Sequence, residues 1–212
     1  MKSTSSVGTR AAIVSAVRGR PASSLRVWVS TLILAGLALD ARRVAGAEQS
    51  SAAEYEVKAA YVFNFANFVT WPASAFASPT APMVIGVAGD SPIAGPLLRA
   101  IQGEAIGGRS LVIRRVARAD DMKECHIVFV GANESRQLVR SLTELRNAPL
   151  LTIGDAEDFL SSGGMIRFVV AGNDKVRFDV NLDATSNAGL KPSARLLKVA
   201  RRVFGTVSET GR

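Results

Sequence analysis

Residues 53–69 form the longest stretch in which apolar side chains recur at the spacing of an α-helix. Two apolar stripes run along it, one of Val57, Tyr61, Phe65 and Phe68 and the other of Val62, Phe63, Ala66 and Val69. The helix is expected to end before Trp71-Pro72, since the residue before a proline avoids helical backbone. A helix that is apolar nearly all round has to be buried or covered by a partner.

Beyond a Pro/Ser/Ala-rich linker at 73–82, short apolar runs alternate with segments of helical spacing. The runs predict buried strands at Met83–Val87, Leu111–Val116, His126–Val130 and Leu150–Ile153. Helices are predicted at Ile93–Gln102 and Glu134–Arg146, with a loop at 103–108, a turn at 120–123 and a helical turn at 157–160. Strands that alternate with helices favour right-handed crossovers and a mainly parallel sheet.

The C-terminal part has a different pattern. Met165–Val170 and Lys175–Asn181 flank the turn residues 171–174, which predicts an antiparallel hairpin at an edge of the sheet. A last helix is expected at Ser193–Phe204, ending at Gly205. The predicted fold class is therefore α/β, a single three-layer domain with a mainly parallel sheet, this hairpin, and helices on both faces.

Composition excludes several classes of protein. Hydrophobic residues make up 48% of the 212 residues, too many for a disordered chain. The one cysteine excludes a disulfide-stapled scaffold or a cysteine-rich zinc module, and the one histidine excludes a site of several histidines. We expect no cofactor and no bound metal.

The formal charge of +8 is concentrated at one end of the chain. Residues 1–47 hold seven of the 26 basic residues and one of the 18 acidic ones, which leaves 48–212 with a net charge of +2. Neither Arg114, Arg115 and Arg118 nor Arg201 and Arg202 are interleaved with aromatic residues. We therefore do not expect a nucleic acid partner.

The order of features in residues 1–47 is typical of a secretory signal peptide. A basic segment ends at Arg26, a 13-residue, mostly apolar run follows at Val27–Leu39, and Ala45-Gly46-Ala47 supplies small residues before a cleavage site. A membrane span needs about 20 apolar residues, so a retained anchor is the weaker alternative. We expect cleavage after Ala47, a periplasmic location and one domain at 48–212. The long basic segment leaves open a start codon downstream of Met1.

Three local patterns resemble fragments of known sites. Gly89-Asp90-Ser91-Pro92 lies between a strand and a helix but lacks the motif of a phosphate or dinucleotide loop, so a plain turn is expected. Gly163-Gly164 before a strand indicates a tight turn or bulge. Cys125-His126 resembles half of a nucleophile–base pair, but neighbouring strand residues point to opposite faces, which favours a buried core cysteine. We expect no catalytic residue.

Charged residues also follow regular patterns near the C-terminus. Lys175, Arg177, Asp179 and Asn181 alternate with Val176, Phe178 and Val180, which predicts a solvated polar face, with a polar partner-binding face as the alternative. Asp155, Glu157 and Asp158 precede Phe159, as acidic groups do in the first turn of a helix.

Several of these segments, in the same order, resemble the YfiR family of small exported bacterial proteins. The matching segments are Glu54–Phe65, Trp71-Pro72, Gly86–Pro92, Cys125–Val130, Leu151–Gly154, Phe159–Ile166, Val176–Leu182 and Gly189–Leu197. The resemblance implies a non-enzymatic periplasmic regulator that represses an inner-membrane diguanylate cyclase through its periplasmic sensor region. It also implies sequestration by an outer-membrane lipoprotein and a homodimer. Some relatives carry disulfides that link redox state to activity, whereas this chain has Cys125 alone.

The sequence supports three hypotheses about function. In the first, a regulatory protein represses a membrane signalling protein by binding its cyclase or kinase sensor region. It contacts this partner or a second copy through Tyr61, Phe65, Phe68 and Trp71, with core packing as the alternative for each residue. In the second, a small-ligand sensor uses the crevice near Gly89–Ser91 and Gly131–Glu134, where α/β sheets place ligands. The third is a hydrolase, for which we expect no convergent nucleophile, base and oxyanion donors.

Overall fold

Strands and helices alternate along most of the chain, as the hydrophobic pattern predicts. The computed structural model describes residues 51–133, 136–172 and 175–205. Its strands are β1 Val69–Thr70, β2 Met83–Ala88, β3 Ala105–Ile106, β4 Arg109–Val116, β5 Ile127–Val130, β6 Leu151–Gly154, β7 Ile166–Ala171, β8 Lys175–Asn181, β9 Lys191–Pro192 and β10 Arg202–Phe204. Its helices are α1 at residues 51–68, α2 Ala94–Ile101, α3 Ala119–Met122, α4 Arg136–Glu144, α5 Leu182–Asn187 and α6 Ala194–Val199.

An eight-stranded sheet in the order β10-β8-β7-β6-β5-β2-β4-β3 forms the centre of the fold. The pairs from β4 through β2, β5 and β6 to β7 are parallel. The central strands β5 and β6 are buried along their whole length, as parallel strands covered on both faces are. The mainly parallel α/β sheet is therefore confirmed.

Helices cover both faces of this sheet. Ile127 and Phe129 of β5 pack in a core cluster that contains α1, α2 and α6 residues. Val128 and Val130, which point the other way, pack in a second cluster with residues of α3 and α4. The predicted three-layer arrangement is confirmed.

The C-terminal end departs from the expectation. β7 and β8 form the predicted antiparallel hairpin, but β10 pairs in parallel outside β8, so the hairpin is not at the sheet edge. The helix predicted at Ser193–Phe204 ends at Val199, since Ala200 turns to extended backbone at ψ 144°. The β-type residues Val203 and Phe204 then lie along β8, opposite Val180 and Asn181.

Four further elements are absent from the predicted set. α5 begins where the side chain of Asn181 accepts a hydrogen bond from the Ala184 N–H. β3 lies in the predicted loop at 103–108 and pairs antiparallel with β4. β1 and β9 form a separate two-stranded ladder that joins the end of α1 to the segment before α6.

Asp179 is the main correction to the predicted polar face of β8. Its side chain is fully buried, whereas Arg177 is exposed. Arg201 donates two hydrogen bonds to the carboxylate, at 2.8 and 2.5 Å, and Arg167 donates a third at 3.0 Å. Burial alone would raise the pKa of Asp179, but these guanidinium hydrogen bonds hold the pKa below its usual range. This part of the β8 face is not solvated, because Arg201, directly before β10, binds Asp179.

No helix within residues 51–133, 136–172 and 175–205 combines the length and hydropathy required to span a membrane. The expected signal peptide and its cleavage site after Ala47 lie outside the described residues.

Asp179→Asn is expected to lower the free energy of unfolding at pH 7 by about 3 kcal/mol, since it leaves two guanidinium groups without a carboxylate. The folded-state pKa of Asp179 is lowered, so its contribution is present above the ordinary pKa of 3.8 and is lost as the pH falls through the folded value. Urea denaturation at pH 7 and pH 3 measures both effects. Asp158→Asn, at an exposed carboxylate, is the control and should change stability by less than about 0.5 kcal/mol. An equal effect of both variants would contradict the prediction.

Candidate partner-binding surface

The end of α1 and the start of α6 are held together by main-chain bonds. Val69 pairs with Pro192 in the β1–β9 ladder, and the Ser193 N–H donates to the Phe68 carbonyl at 2.8 Å. The Ser193 hydroxyl then accepts from the Leu196 N–H and caps α6. These main-chain bonds near Phe68 and Ser193 therefore place α6 beside α1.

A cavity of about 250 Å³ lies between the two helices. Its floor is aromatic, and its rim is formed by side chains of both helices. The lining residues are Tyr61, Asn64, Phe65, Phe68, Phe178, Arg195, Leu196 and Val199. We call the solvent-facing members Tyr61, Asn64, Phe68, Arg195 and Val199 the α1–α6 surface.

Phe65 is the centre of the aromatic floor. Its ring lies 4.8 Å from that of Phe178, 5.8 Å from Tyr61 and 5.9 Å from Phe168. Because Phe65 is only 2% exposed, it belongs to the core and acts beneath the surface. Such a ring cluster gives the surface a rigid base.

The other aromatic residues predicted as contacts remain accessible. Tyr61, Phe68 and Trp71 are half-buried. The Arg195 guanidinium lies 5.3 Å from the centre of the Phe68 ring, within the range of a cation–π contact. The indole N–H of Trp71 is buried and has no hydrogen-bond partner. The structure therefore brings together an apolar patch and one cation at the α1–α6 surface.

Lys58 ties the other half of α1 to the carboxyl end of β6. Its ammonium group is almost fully buried, 2.6 Å from Glu54 and 2.8 Å from Asp155. Burial alone would lower the pKa of Lys58, but hydrogen bonds to the two carboxylates hold the pKa above its usual value. Asp155 is therefore a tertiary partner of α1. Glu157 and Asp158 are exposed.

Cys125 and His126 do not form a nucleophile–base pair. The thiol of Cys125 packs in the cluster with α3 and α4 and lies 3.4 Å from the Asp121 carbonyl. Both ring nitrogens of His126 are occupied, Nδ1 by the Val84 N–H at 3.0 Å and Nε2 by the Ala75 carbonyl at 3.0 Å. Burial raises the pKa of the Cys125 thiol to about 11. Neither group is in a state that would support nucleophilic chemistry at neutral pH.

His126 instead fastens the linker that precedes β2. Its ring stacks on Phe76 at 4.4 Å, and Arg109 covers the far side of Phe76 at 3.7 Å. A cavity of about 290 Å³ beside this stack is lined by His126, Cys125, Lys123 and Glu124, among others. Burial, together with the charge of Arg109, lowers the pKa of His126, so the neutral ring is favoured.

The two glycine-containing segments, at 89–92 and 163–164, form turns. Gly89 adopts a positive φ of 60° and its N–H donates to the Val116 carbonyl, while Asp90 pairs with Arg115 at 2.9 Å. Ser91, next in the chain, is buried with an unpaired hydroxyl. Gly163 has a positive φ of 94°, and a Cβ on Gly164 would meet the Phe159 ring at 2.3 Å. Close packing on Phe159 thus accounts for the second glycine of that pair.

Four charged residues for which sequence reasoning predicted no tertiary contact take part in these contacts, namely Lys58, Arg167, Arg195 and Arg201. A lysine in the mostly apolar helix α1 is the one signal that the sequence offers, since the partners of the arginines lie far away in the sequence. No group of three or more His, Cys, Asp or Glu side chains in the described segments is placed to hold a metal ion.

Comparison with known proteins decides the family. A family model described as YfiR/HmsC-like matches residues 55–201, which include most of α1, strands β1 to β9, and α6. The chain belongs to the YfiR/HmsC-like family. Proteins of the YfiR/HmsC-like family are periplasmic and non-catalytic, and they regulate diguanylate cyclase signalling.

Two solved structures are similar over part of the YfiR/HmsC-like chain. One is a conserved domain protein from Vibrio cholerae O1 biovar El Tor strain N16961, with 11% identity, a TM-score of 0.41, and coverage of 57% of this chain and 54% of that one. The other is the ABC domain in complex with L-Trp from Streptococcus pneumonia, with 11% identity, a TM-score of 0.39, and coverage of 57% and 56%. The chain thus spans about half the length of these structures.

We predict that Cys125 is inert in the folded protein. Raising the thiol pKa from 9.0 to about 11 lowers the thiolate population near pH 7.5 roughly 100-fold. The reaction with 5,5′-dithiobis(2-nitrobenzoate) should therefore be at least that much slower in buffer than in 6 M guanidinium chloride. Rapid reaction of the native thiol would contradict the buried, protonated state.

We also predict that acidification weakens the fold through His126. Its folded-state pKa is lowered, so below the ordinary value of 6.5 the unfolded chain takes up the proton first and stability falls. His126 is the single histidine, so the change between pH 7 and pH 5 reports on it. Urea midpoints should fall over this range in the wild type and less steeply in His126→Gln. Equal slopes would show that the ring does not titrate in this way.

Proposed function

We propose that this chain is a periplasmic, non-enzymatic binding protein that represses a membrane-bound diguanylate cyclase. Binding to the periplasmic region of the cyclase would hold it in a state of low activity. Membership of the YfiR/HmsC-like family supports the regulatory role. The observation that carries the choice of surface is the half-exposed aromatic patch around the cavity between α1 and α6.

The chemistry of the α1–α6 surface suits a protein partner. Tyr61, Phe68 and Trp71 are large, half-buried rings, a residue type enriched where binding energy concentrates in interfaces. Val199, at the rim, is 60% exposed. Arg195 would give the apolar contact its orientation. A partner segment with one or two apolar side chains and a nearby carboxylate or carbonyl oxygen complements this patch.

Other hypotheses receive less support. A small-ligand sensor would use Gly89–Ser91 and Gly131–Glu134, and neither segment lines the cavity of about 250 Å³ or the cavity of about 290 Å³ described above; Glu134 itself is outside the described residues. A hydrolase built on Cys125 and His126 would need a free base, and both ring nitrogens are bonded. The lipoprotein partner and the homodimer that the resemblance implies belong to this proposal as further occupants of the same surface.

The test replaces one exposed side chain at the rim of the cavity. The residue 48–212 protein is titrated into proteoliposomes that contain a membrane diguanylate cyclase with a periplasmic region from the same cell, and cyclic di-GMP formation is measured. Wild type should inhibit, and Val199→Glu should raise the half-inhibitory concentration at least about tenfold, because a charge would be desolvated in an apolar contact.

Leu98→Glu is the matched control, since Leu98 on α2 is also 60% exposed but does not line the cavity between α1 and α6. It should inhibit as the wild type does. Equal inhibition by Val199→Glu and Leu98→Glu would reject this surface. A wild-type protein that neither binds the periplasmic region nor changes the rate would reject the function.

A further inference from the structure

β7 is longer than the strand beside it. β6 pairs with β7 at Ile153–Ile166 and Gly154–Arg167, and then the chain leaves the sheet at Asp155. β7 continues to Ala171, paired with β8 on its other side. Residues 168–171 therefore have no strand next to them on the β6 side within the described chain. At about 3.3 Å per residue this stretch is roughly 13 Å long.

The hydrogen-bond pattern shows which main-chain groups face this space. Bonded and non-bonded pairs alternate along an antiparallel ladder, and the Asn181 N–H donates to the Met165 carbonyl at 2.8 Å. Counting from that bonded pair, Arg167 and Val169 bond to β8, while Phe168 and Val170 turn their N–H and C=O groups away from it. The Phe178 carbonyl confirms the phase, since it faces outward and accepts from the Arg201 N–H.

One of these outward-facing main-chain groups is already hydrogen-bonded to β6. In the parallel ladder, Gly154 bonds to the residues on either side of its partner Arg167, which accounts for the Phe168 N–H. The Phe168 carbonyl and both main-chain groups of Val170 remain. They alternate as acceptor, donor and acceptor along the edge of β7.

A cavity of about 370 Å³ lies along this edge. Its lining residues are Asp155, Glu157, Arg167, Phe168, Val169, Val170 and Arg201. Two polar atoms of these residues are buried without a hydrogen-bond partner, the acceptor Oδ1 of Asp155 and the donor Nε of Arg167. Unpaired buried polar atoms are rare in folded proteins and call for an explanation.

Most of the charged side chains around the cavity are paired. Asp155 is bound to Lys58, and Arg167 and Arg201 are bound to Asp179, while Glu157 is exposed. The outward main-chain groups of β7 alternate as acceptor, donor and acceptor, and the main chain of an extended peptide offers the complementary alternation. Val170 is 44% exposed and adds an apolar side chain to the rim. These features fit an extended peptide main chain with apolar side chains.

We propose that a peptide segment of another protein binds in this cavity in extended conformation, pairing with β7 at Phe168 and Val170 where β6 has ended. Strand addition of this kind is a recurrent mode of peptide recognition. The site is separate from the α1–α6 surface, and its existence does not depend on a cyclase as the partner.

The test uses random 12-residue peptides displayed on phage, selected on the residue 48–212 protein and counter-selected on Val170→Pro. Proline removes the outward N–H of Val170 and no bond to β8, and it is tolerated at strand edges. Selected peptides, synthesised with a fluorescent label, should bind the wild type in anisotropy titrations and bind Val170→Pro at least about tenfold more weakly. Val170→Thr keeps the N–H and the branched shape, and should bind as the wild type does.

A second measurement uses only the wild-type protein and so decides the question even if Val170→Pro fails to fold. Each peptide N–H is methylated in turn; in strand addition, methylation should abolish binding at every second residue and leave the intervening ones unaffected. Failure to enrich any peptide, equal binding to Val170→Pro, or no alternation in the methylation series would overturn the proposal. Cyclase inhibition by Val170→Pro tests the proposed function separately, since Val199 remains intact.

Discussion

The packing of α1 on one face of the sheet is the contact on which both proposed surfaces depend. Phe65 enters between Tyr61, Phe168 and Phe178 and fixes the helix at its centre. The β1–β9 ladder fixes its C-terminal end, and the Lys58–Asp155 pair fixes its N-terminal half. Because interiors are close-packed, a shift of α1 would open the cavity beside α6 and move Asp155 away from β7 at the same time.

Local sequence patterns are sufficient to predict the elements that depend on residues close by in the sequence. β8 has its predicted bounds, Lys175–Asn181, because the alternation of its residues and the turn residues that precede it both act within a few residues. β10 escaped prediction because its place depends on Arg201, which finds its carboxylate 22 positions earlier in the chain. The two-residue strands β1 and β9 carry no periodicity at all, and exist only through their pairing.

The candidate surface was predictable in outline but not in detail. The two apolar stripes of α1 predicted that the core alone would not bury both of them. Tyr61, Phe68 and Trp71 do remain half-exposed. Phe65 belongs to the same stripe as Tyr61, yet it is buried, because Phe178 and Phe168 meet it from the sheet. Arg195 and Val199 come from a helix more than 120 residues away, so no local pattern associates them with α1.

The short strands at the two ends of the sheet carry a consequence for solubility. β10 and β3, which end the sheet, contain three and two residues, and β3 pairs only with Arg109 and Ser110, so residues 111–116 of β4 have no strand on that side within the described chain. Arg114 and Arg115 place two positive charges on this longer edge, and charged side chains discourage edge-to-edge pairing. The unpaired stretch of β7, residues 168–171, carries no charged side chain. The fold thus combines short and charged edges with one short uncharged edge, which limits open-ended aggregation of a concentrated protein.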